Sequence, residues 1–281
     1  MKRKILAISI LAIGLLACNE KANSSEPTTI EDTENDEVTK NEAPEVVLED
    51  VVKPVLFDYT STGCPGCGSW GAPTFERIAD EQKTSIVPIA VHIKYGDPMI
   101  TDISNALGAN RTGQRFTPQL FVNESNGVVL NAGRIDGNGS LLKLNEDLDG
   151  VKNREAQMYV GVTSTINESV MSLRYKTRAI DDLEGEYSVS VYIMEDKLFY
   201  NQSSAASNPF EHNYVIRAAN DGAFGTALEQ SNLKTGAESE FLIDMDLDEN
   251  WKAENLYATV IVWKKEGNNY VVVNASNNKV Y

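Results

Sequence analysis

At 281 residues the chain is long enough for two ordinary domains, and its composition is that of a globular protein without excess glycine, proline or aromatic residues. A formal net charge of −16 argues against nucleic acid, whose phosphates need Lys and Arg to replace counterions, and against electrostatic docking on anionic lipid. Three cysteines are too few for a disulfide scaffold.

The chain opens on the basic stretch MKRK. The apolar run ILAISILAIGLLA follows, too short to span a bilayer. With the Cys that closes LLAC, this segment resembles the lipobox of bacterial lipoproteins. The resemblance implies a signal peptide over residues 1–17, cleavage before Cys18, lipid on Cys18, and a membrane anchor through that lipid outside the cytoplasm. Residues 18–50 are dense in Glu, Asp, Asn, Thr and Pro, which predicts a self-repelling, disordered acidic linker. An acidic stretch directly after a lipidated Cys also resembles the surface-export signals of some Bacteroidetes lipoproteins.

From Lys53 the pattern changes. PVLFDYT reads as a buried strand, CPGCGSWGAPTFERIADEQK as a helix with a break near Pro73, and SIVPIAVHI as a second strand. MITDISNALGAN has helical period, with Ile103 and Leu107 on one face. PQLFVNESNGVVLNAG reads as a hairpin around Asn126-Gly127. A closing helix follows, with Ser140 as its candidate N-cap. This order predicts an α/β domain over 51–155, with a mixed sheet flanked by helices. After residue 156 the chain reads as short alternating strands separated by Gly, Asn, Asp and Ser clusters, which predicts an all-β sandwich domain over 156–281. In EYSVSVYIM, Tyr187, Val189, Val191 and Ile193 fall on one face, Ser188 and Ser190 on the other.

Cys64 and Cys67 lie where a strand hands over to a helix. Cys64 at the N-cap, followed by Pro65, would have free N–H groups and the positive helix end to stabilise a thiolate. Cys67, one turn on, could resolve a mixed disulfide. Asp58, six residues before Cys64 inside an apolar strand, should be desolvated, its pKa raised, and able to move a proton for Cys67. Thr117-Pro118 precedes an apolar strand, a position that suits a cis bond. A metal site is not expected: zinc needs four ligands, no second Cys pair exists in the mature chain, and His92 and His212 lie far apart in sequence. A disulfide that serves structure alone is the competing reading of the pair.

Asp58, Cys64, Cys67 and Pro118, in this order, resemble the working parts of the thioredoxin superfamily. The resemblance implies a redox-active centre, with Thr117 and Pro118 shaping a groove for substrate peptide and His92 near the rim in a minor role, polarising a thiolate or donating to a substrate carbonyl; the favoured reading of His92 is that it simply caps its strand. Two positions depart from the family: Gly63 stands where a Trp is frequent, and the central dipeptide is Pro-Gly. Further on, VYIMEDKLFYNQ, EHNYVIRAANDGAFG and the segment from Trp251 to Ala275 resemble the Bacteroidetes family named after an outer membrane protein of twenty-eight kilodaltons. That resemblance implies an outer-membrane, lipid-anchored protein on the periplasmic or cell-surface face. The sequence therefore predicts thiol–disulfide exchange on the thiols or disulfides of exported proteins, without cofactor, metal or nucleic acid. The alternative is a non-catalytic binding or adhesion lipoprotein on the same scaffold. His212 reads as structural within the sandwich. DMDLDENW begins like a calcium loop but has Glu249 where Gly is required and Asn255 where Glu is required, so calcium is not expected.

Overall fold

A computed structural model describes residues 42–94, 96–113, 115–123 and 138–281. The signal peptide, Cys18 and the Asn126-Gly127 turn lie outside these residues. The first apolar run forms β1 (Val55–Thr60), buried along its whole length. The CxxC leads into a helical stretch whose turn Cys67–Gly71 is π-wound and whose remainder is α1 (Ala72–Gln82). The break expected near Pro73 is thus a widening. The Ala72 N–H reaches back five residues to the Cys67 carbonyl, directly ahead of a proline that has no N–H to give.

β2 (Val87–His92) runs parallel to β1, and β3 (Gln119–Val122) pairs antiparallel on the other edge of β1. Between them α2 (Asp102–Asn110) starts on a capping box of Thr101 and Ser104, and buries Leu107. α3 (Asn138–Lys152) begins two residues before Ser140, so Ser140 is not its cap. Its buried side are Leu144, Leu148 and Val151.

Beyond residue 156 the regular structure is almost all strand: β4 (Met158–Asn167), β5 (Val170–Ala179), β6 (Tyr187–Glu195), β7 (Leu198–Tyr200), β8 (Phe210–His212), β9 (Val215–Asn220), β10 (Thr226–Ala227), β11 (Glu238–Asp246), β12 (Leu256–Glu266) and β13 (Asn269–Asn277). The helices end near residue 155, but the sheet does not. One sheet runs β13-β12-β6-β9-β2-β1-β3, with β10 also on β6, so strands from both sides of residue 155 share it. The join is β9, parallel to β2 through Ala90 and Val215 and antiparallel to β6. A second sheet, β11-β5-β4, packs through β4 across β12 and β13. The molecule is built mostly from mixed and antiparallel sheet with few helices.

β6 and β12 are covered on both faces. Tyr192, Met194, Ile261 and Trp263 join the core of β1, β2 and α1, whereas Val191, Ile193, Val260 and Val262 join the core under the smaller sheet. Side chains that alternate by two feed two cores at once, as a doubly covered strand must. The face of Ser188 and Ser190 is therefore interior. Ser190 Oγ accepts a hydrogen bond of 2.7 Å from the Trp263 indole.

The acidic stretch expected to be a disordered linker as far as Asp50 does not run free in its last nine residues. Residues 42–50 lie against the smaller sheet rather than free. Ala43 and Val46 are buried. Glu42, Glu45 and Asp50 meet Arg174, Lys176 and Arg178, the three cations on one face of β5. Such exposed pairs contribute about 0–1 kcal/mol each, and the two apolar side chains add burial that composition alone does not reveal.

Candidate active site

Cys64 and Cys67 form a disulfide, with Cα atoms 5.2 Å apart. Cys64 immediately precedes the helical turn, and its Sγ receives the Cys67 N–H at 3.2 Å. Its carbonyl accepts from the N–H groups of Cys67 (3.1 Å) and Gly68 (3.3 Å). This is N-cap geometry with sulfur as the capping atom. Cys64 Sγ also lies 3.5 Å from the Thr117 carbonyl oxygen, and the Thr117-Pro118 peptide bond is cis. Gly66 and Gly71 leave room for the proline ring: a Cβ on Gly71 would sit 2.6 Å from Pro118 Cβ. Cys64, Cys67, Thr117 and Pro118 are therefore brought together. Cys64 retains 4% exposure and Cys67 none.

Asp58 sits on β1 opposite Ala90 and Leu120, with 1% of its surface exposed. Its Oδ1 has no hydrogen-bond partner among the described residues. Burial, and secondarily the negative charge of Glu76, push its carboxyl up to about 8. Glu76 on α1 is itself pushed up to about 7, mainly by burial, against a hydrogen bond from Asn213.

His92 ends β2 and is buried. Its Nδ1 lies 2.9 Å from Asp97 Oδ2, which also accepts the Thr62 N–H at 2.7 Å, while Asp97 Oδ1 accepts the Met99 N–H at 2.9 Å. Burial raises the Asp97 carboxyl, but His92 and the two N–H donors outweigh it and hold it at about 2. Asp97 thereby ties the end of β2 to the loop that enters the CxxC. His212 is not part of a sandwich. Its ring packs 5.4 Å from that of His92 and 4.9 Å from Phe210. Two histidines far apart in sequence are thus neighbours beside the CxxC loop.

Burial, then the charge of His92, depresses His212 to about 4. Below its unfolded value near 6.5 the unfolded chain takes up a proton that the folded chain refuses. Stability from this group is complete above that pH and is lost as pH falls towards 4. The expected loss is roughly 3 kcal/mol. The difference between wild type and His212→Phe in urea unfolding at pH 7 and pH 4 isolates it, because the raised carboxyls of Asp58 and Glu76 change stability in the opposite direction in both proteins.

Three participants carried no sequence signal. Arg111, buried above the Tyr59 ring at 4.2 Å, donates to the Phe116 carbonyl at 3.1 Å and to Gln119 Oε1, and so holds the loop that presents Thr117. Asp97 is one acid among many in the sequence. Gln202 lies in the loop between β7 and β8, which also holds a cis peptide bond, Asn208-Pro209.

A disulfide at a helix entrance, facing a cis-proline and built onto a mixed sheet, is the class of protein that this fold and site define. Neither a protein-family model nor a curated protein matches the sequence. Among solved structures, HBP35 of Porphyromonas gingivalis superposes with a TM-score of 0.66 at 18% identity, over 83% of this chain and 76% of its own, a likeness of fold. A domain of the outer membrane lipoprotein Omp28 from Porphyromonas gingivalis gives a TM-score of 0.33 at 17% identity, over 45% of this chain and 90% of that domain.

Proposed function

We propose that the protein is a thiol–disulfide oxidoreductase of exported proteins, with a thioredoxin-like centre in residues 51–155 and an outer-membrane anchor through lipid on Cys18. The observation that carries this reading is the Cys64–Cys67 disulfide with its Sγ 3.5 Å from the carbonyl ahead of a cis-proline. In the oxidising direction a client thiolate attacks Cys64 Sγ. The Cys64–Cys67 bond breaks, and Cys67 leaves as a thiolate that takes a proton from Asp58. A second client thiolate then attacks the client sulfur of the mixed disulfide and expels Cys64. The client dithiol has become a disulfide, and the protein disulfide a dithiol. The reducing direction reverses these steps, with Asp58 accepting the proton of Cys67. A carboxyl held near 8 is protonated at neutral pH and suits the donor role. No cofactor is required.

The near-complete burial of both cysteines favours a second reading, in which the disulfide is structural and the protein binds partners without exchange. Trapping separates the two. With Cys67→Ser, the free Cys64 thiolate is expected to attack a client disulfide, release one client thiolate and accumulate as the mixed disulfide that Cys67 can no longer resolve, while Cys64→Ser captures nothing. If the wild-type protein neither oxidises nor reduces a peptide disulfide and Cys67→Ser traps no client, the exchange reading fails.

A further inference from the structure

The loop between β7 and β8 reaches over the CxxC turn and fastens to it. Gln202 is buried, and its side-chain amide donates to the Cys64 carbonyl at 3.1 Å and to the Ser61 carbonyl at 3.2 Å. Ser61 O is also the acceptor of the Cys64 N–H at 3.1 Å. One NH2 group therefore closes both ends of the Ser61–Cys64 turn. The loop is itself fixed. Asn208 Oδ1 accepts the Gln202 N–H at 2.7 Å, Asn208 Nδ2 donates to the Gln202 carbonyl at 3.1 Å, and the Ser203 N–H donates to the Thr62 carbonyl at 2.8 Å. Gly68, in the first turn of the helix, faces this loop so closely that a Cβ there would lie 2.1 Å from the Ser203 carbonyl oxygen.

We propose that Gln202 is a positioning residue for thiol–disulfide exchange: its amide locks the turn before the helix so that the Cys67 N–H stays aimed at Cys64 Sγ. This rests on the exchange reading of the site. The Cys67 N–H already lies 3.2 Å from that sulfur in the disulfide. In the reduced protein the same N–H donates to the Cys64 thiolate, a charge-assisted bond that needs fixed geometry. The peptide carbonyl whose direction sets that geometry is the one Gln202 holds. A polar side chain from the β-rich part of the chain thus contributes to the chemistry of a cysteine 138 residues away. The sulfur is never touched, and because a thiolate accepts that N–H more strongly than a disulfide sulfur does, the stabilisation falls more on the reduced form than on the oxidised one. That is the difference that sets a reduction potential.

The test is the equilibrium of the full chain with glutathione, in which protein disulfide and two reduced glutathione give protein dithiol and oxidised glutathione. Gln202→Ala is expected to shift this equilibrium towards the protein disulfide by roughly three- to tenfold, the worth of one hydrogen bond to the thiolate. Alkylation of Cys64 at neutral pH should slow by a similar factor. If Gln202→Ala does not fold, Gln202→Met, which fills the same space without a donor, carries the test. A variant that lowers the urea midpoint but leaves both readouts within twofold of wild type overturns the proposal and makes Gln202 a structural tie only. Failure of the wild-type pair to exchange with glutathione at all sinks the exchange reading first, and this proposal with it. Normal wild-type exchange with unchanged Gln202 variants sinks this proposal alone.

Discussion

Replacing Asp58 with Asn is expected to remove the largest part of the stability that the wild-type chain loses as pH rises from 5 to 8, while the parts due to Glu76 and His212 stay the same in both proteins. The folded-state carboxyl titrates at about 8, and the unfolded one near 4. Between those values the folded chain holds a proton that the unfolded chain has released. Stability from this group is therefore greatest below about pH 4, falls as pH rises, and levels off above about pH 8. From pH 5 to pH 8 the wild-type chain should lose roughly 4 kcal/mol through Asp58 alone. Asn has no proton to lose. Any cost of burying its amide is the same at both pH values, so the difference between them isolates the carboxyl. Urea unfolding with the disulfide intact, at pH 5 and pH 8, measures it. Parallel pH profiles for the two proteins would mean that Asp58 ionises normally in the folded state, and its role as proton donor would go with that. In exchange assays the same substitution should slow the step that protonates or deprotonates Cys67, most of all near neutral pH.

The second large effect is expected from a single methyl group. Gly68→Ala puts a Cβ 2.1 Å from the Ser203 carbonyl oxygen and 2.8 Å from the Ala205 nitrogen. Both are backbone atoms, so no rotamer change relieves the contact. In an open helix Ala would gain up to about 1 kcal/mol over Gly. Here overpacking costs about 1–3 kcal/mol, and a displaced loop loses the Gln202 bonds at about 1 kcal/mol each. The net expectation is a loss of roughly 2–4 kcal/mol, together with faster reduction of the disulfide by dithiothreitol as its cover lifts. Gly63→Ala is the matched control, because a Cβ there meets nothing within 4 Å. It should stay within about 0.5 kcal/mol of wild type. If Gly68→Ala unfolds and is reduced as the wild-type protein is, the loop does not guard the cysteines.

Local chemistry was legible in the sequence, and long-range pairing was not. The CxxC at a strand-to-helix junction, the buried acid in β1 and the proline ahead of β3 each follow from rules that act over a few residues. The strands after residue 156 announce themselves by alternation. Alternation does not say what covers each face, however. Ser188 and Ser190 look like a solvent face because small polar residues usually are, yet Trp263 supplies a buried donor that Ser190 satisfies. Residues 42–50 look disordered because their composition is polar and acidic; Glu49 pairs locally with Lys53, but the partners of Glu42, Glu45 and Asp50 on β5 lie more than a hundred residues away. Gln202 and Asp97 act through backbone carbonyls and N–H groups of distant loops, and no spacing rule encodes those. His92 and His212 are neighbours only because the β7–β8 hairpin folds back towards the end of β2.

The insertion of β9 between β2 and β6 bears on how such a chain can be inherited and cut. The cysteine-bearing segment and the β-rich segment are not beads that could be exchanged between genes. Severed near residue 155, the first would lose the β9 pairing at Ala90 and keep β2 as an edge strand open to pairing with other chains. The second would lose the cover over Tyr192 and Trp263. The CxxC and the strands beyond it have to travel as one hereditary unit, and such chains can diverge only by altering surfaces, not by swapping modules.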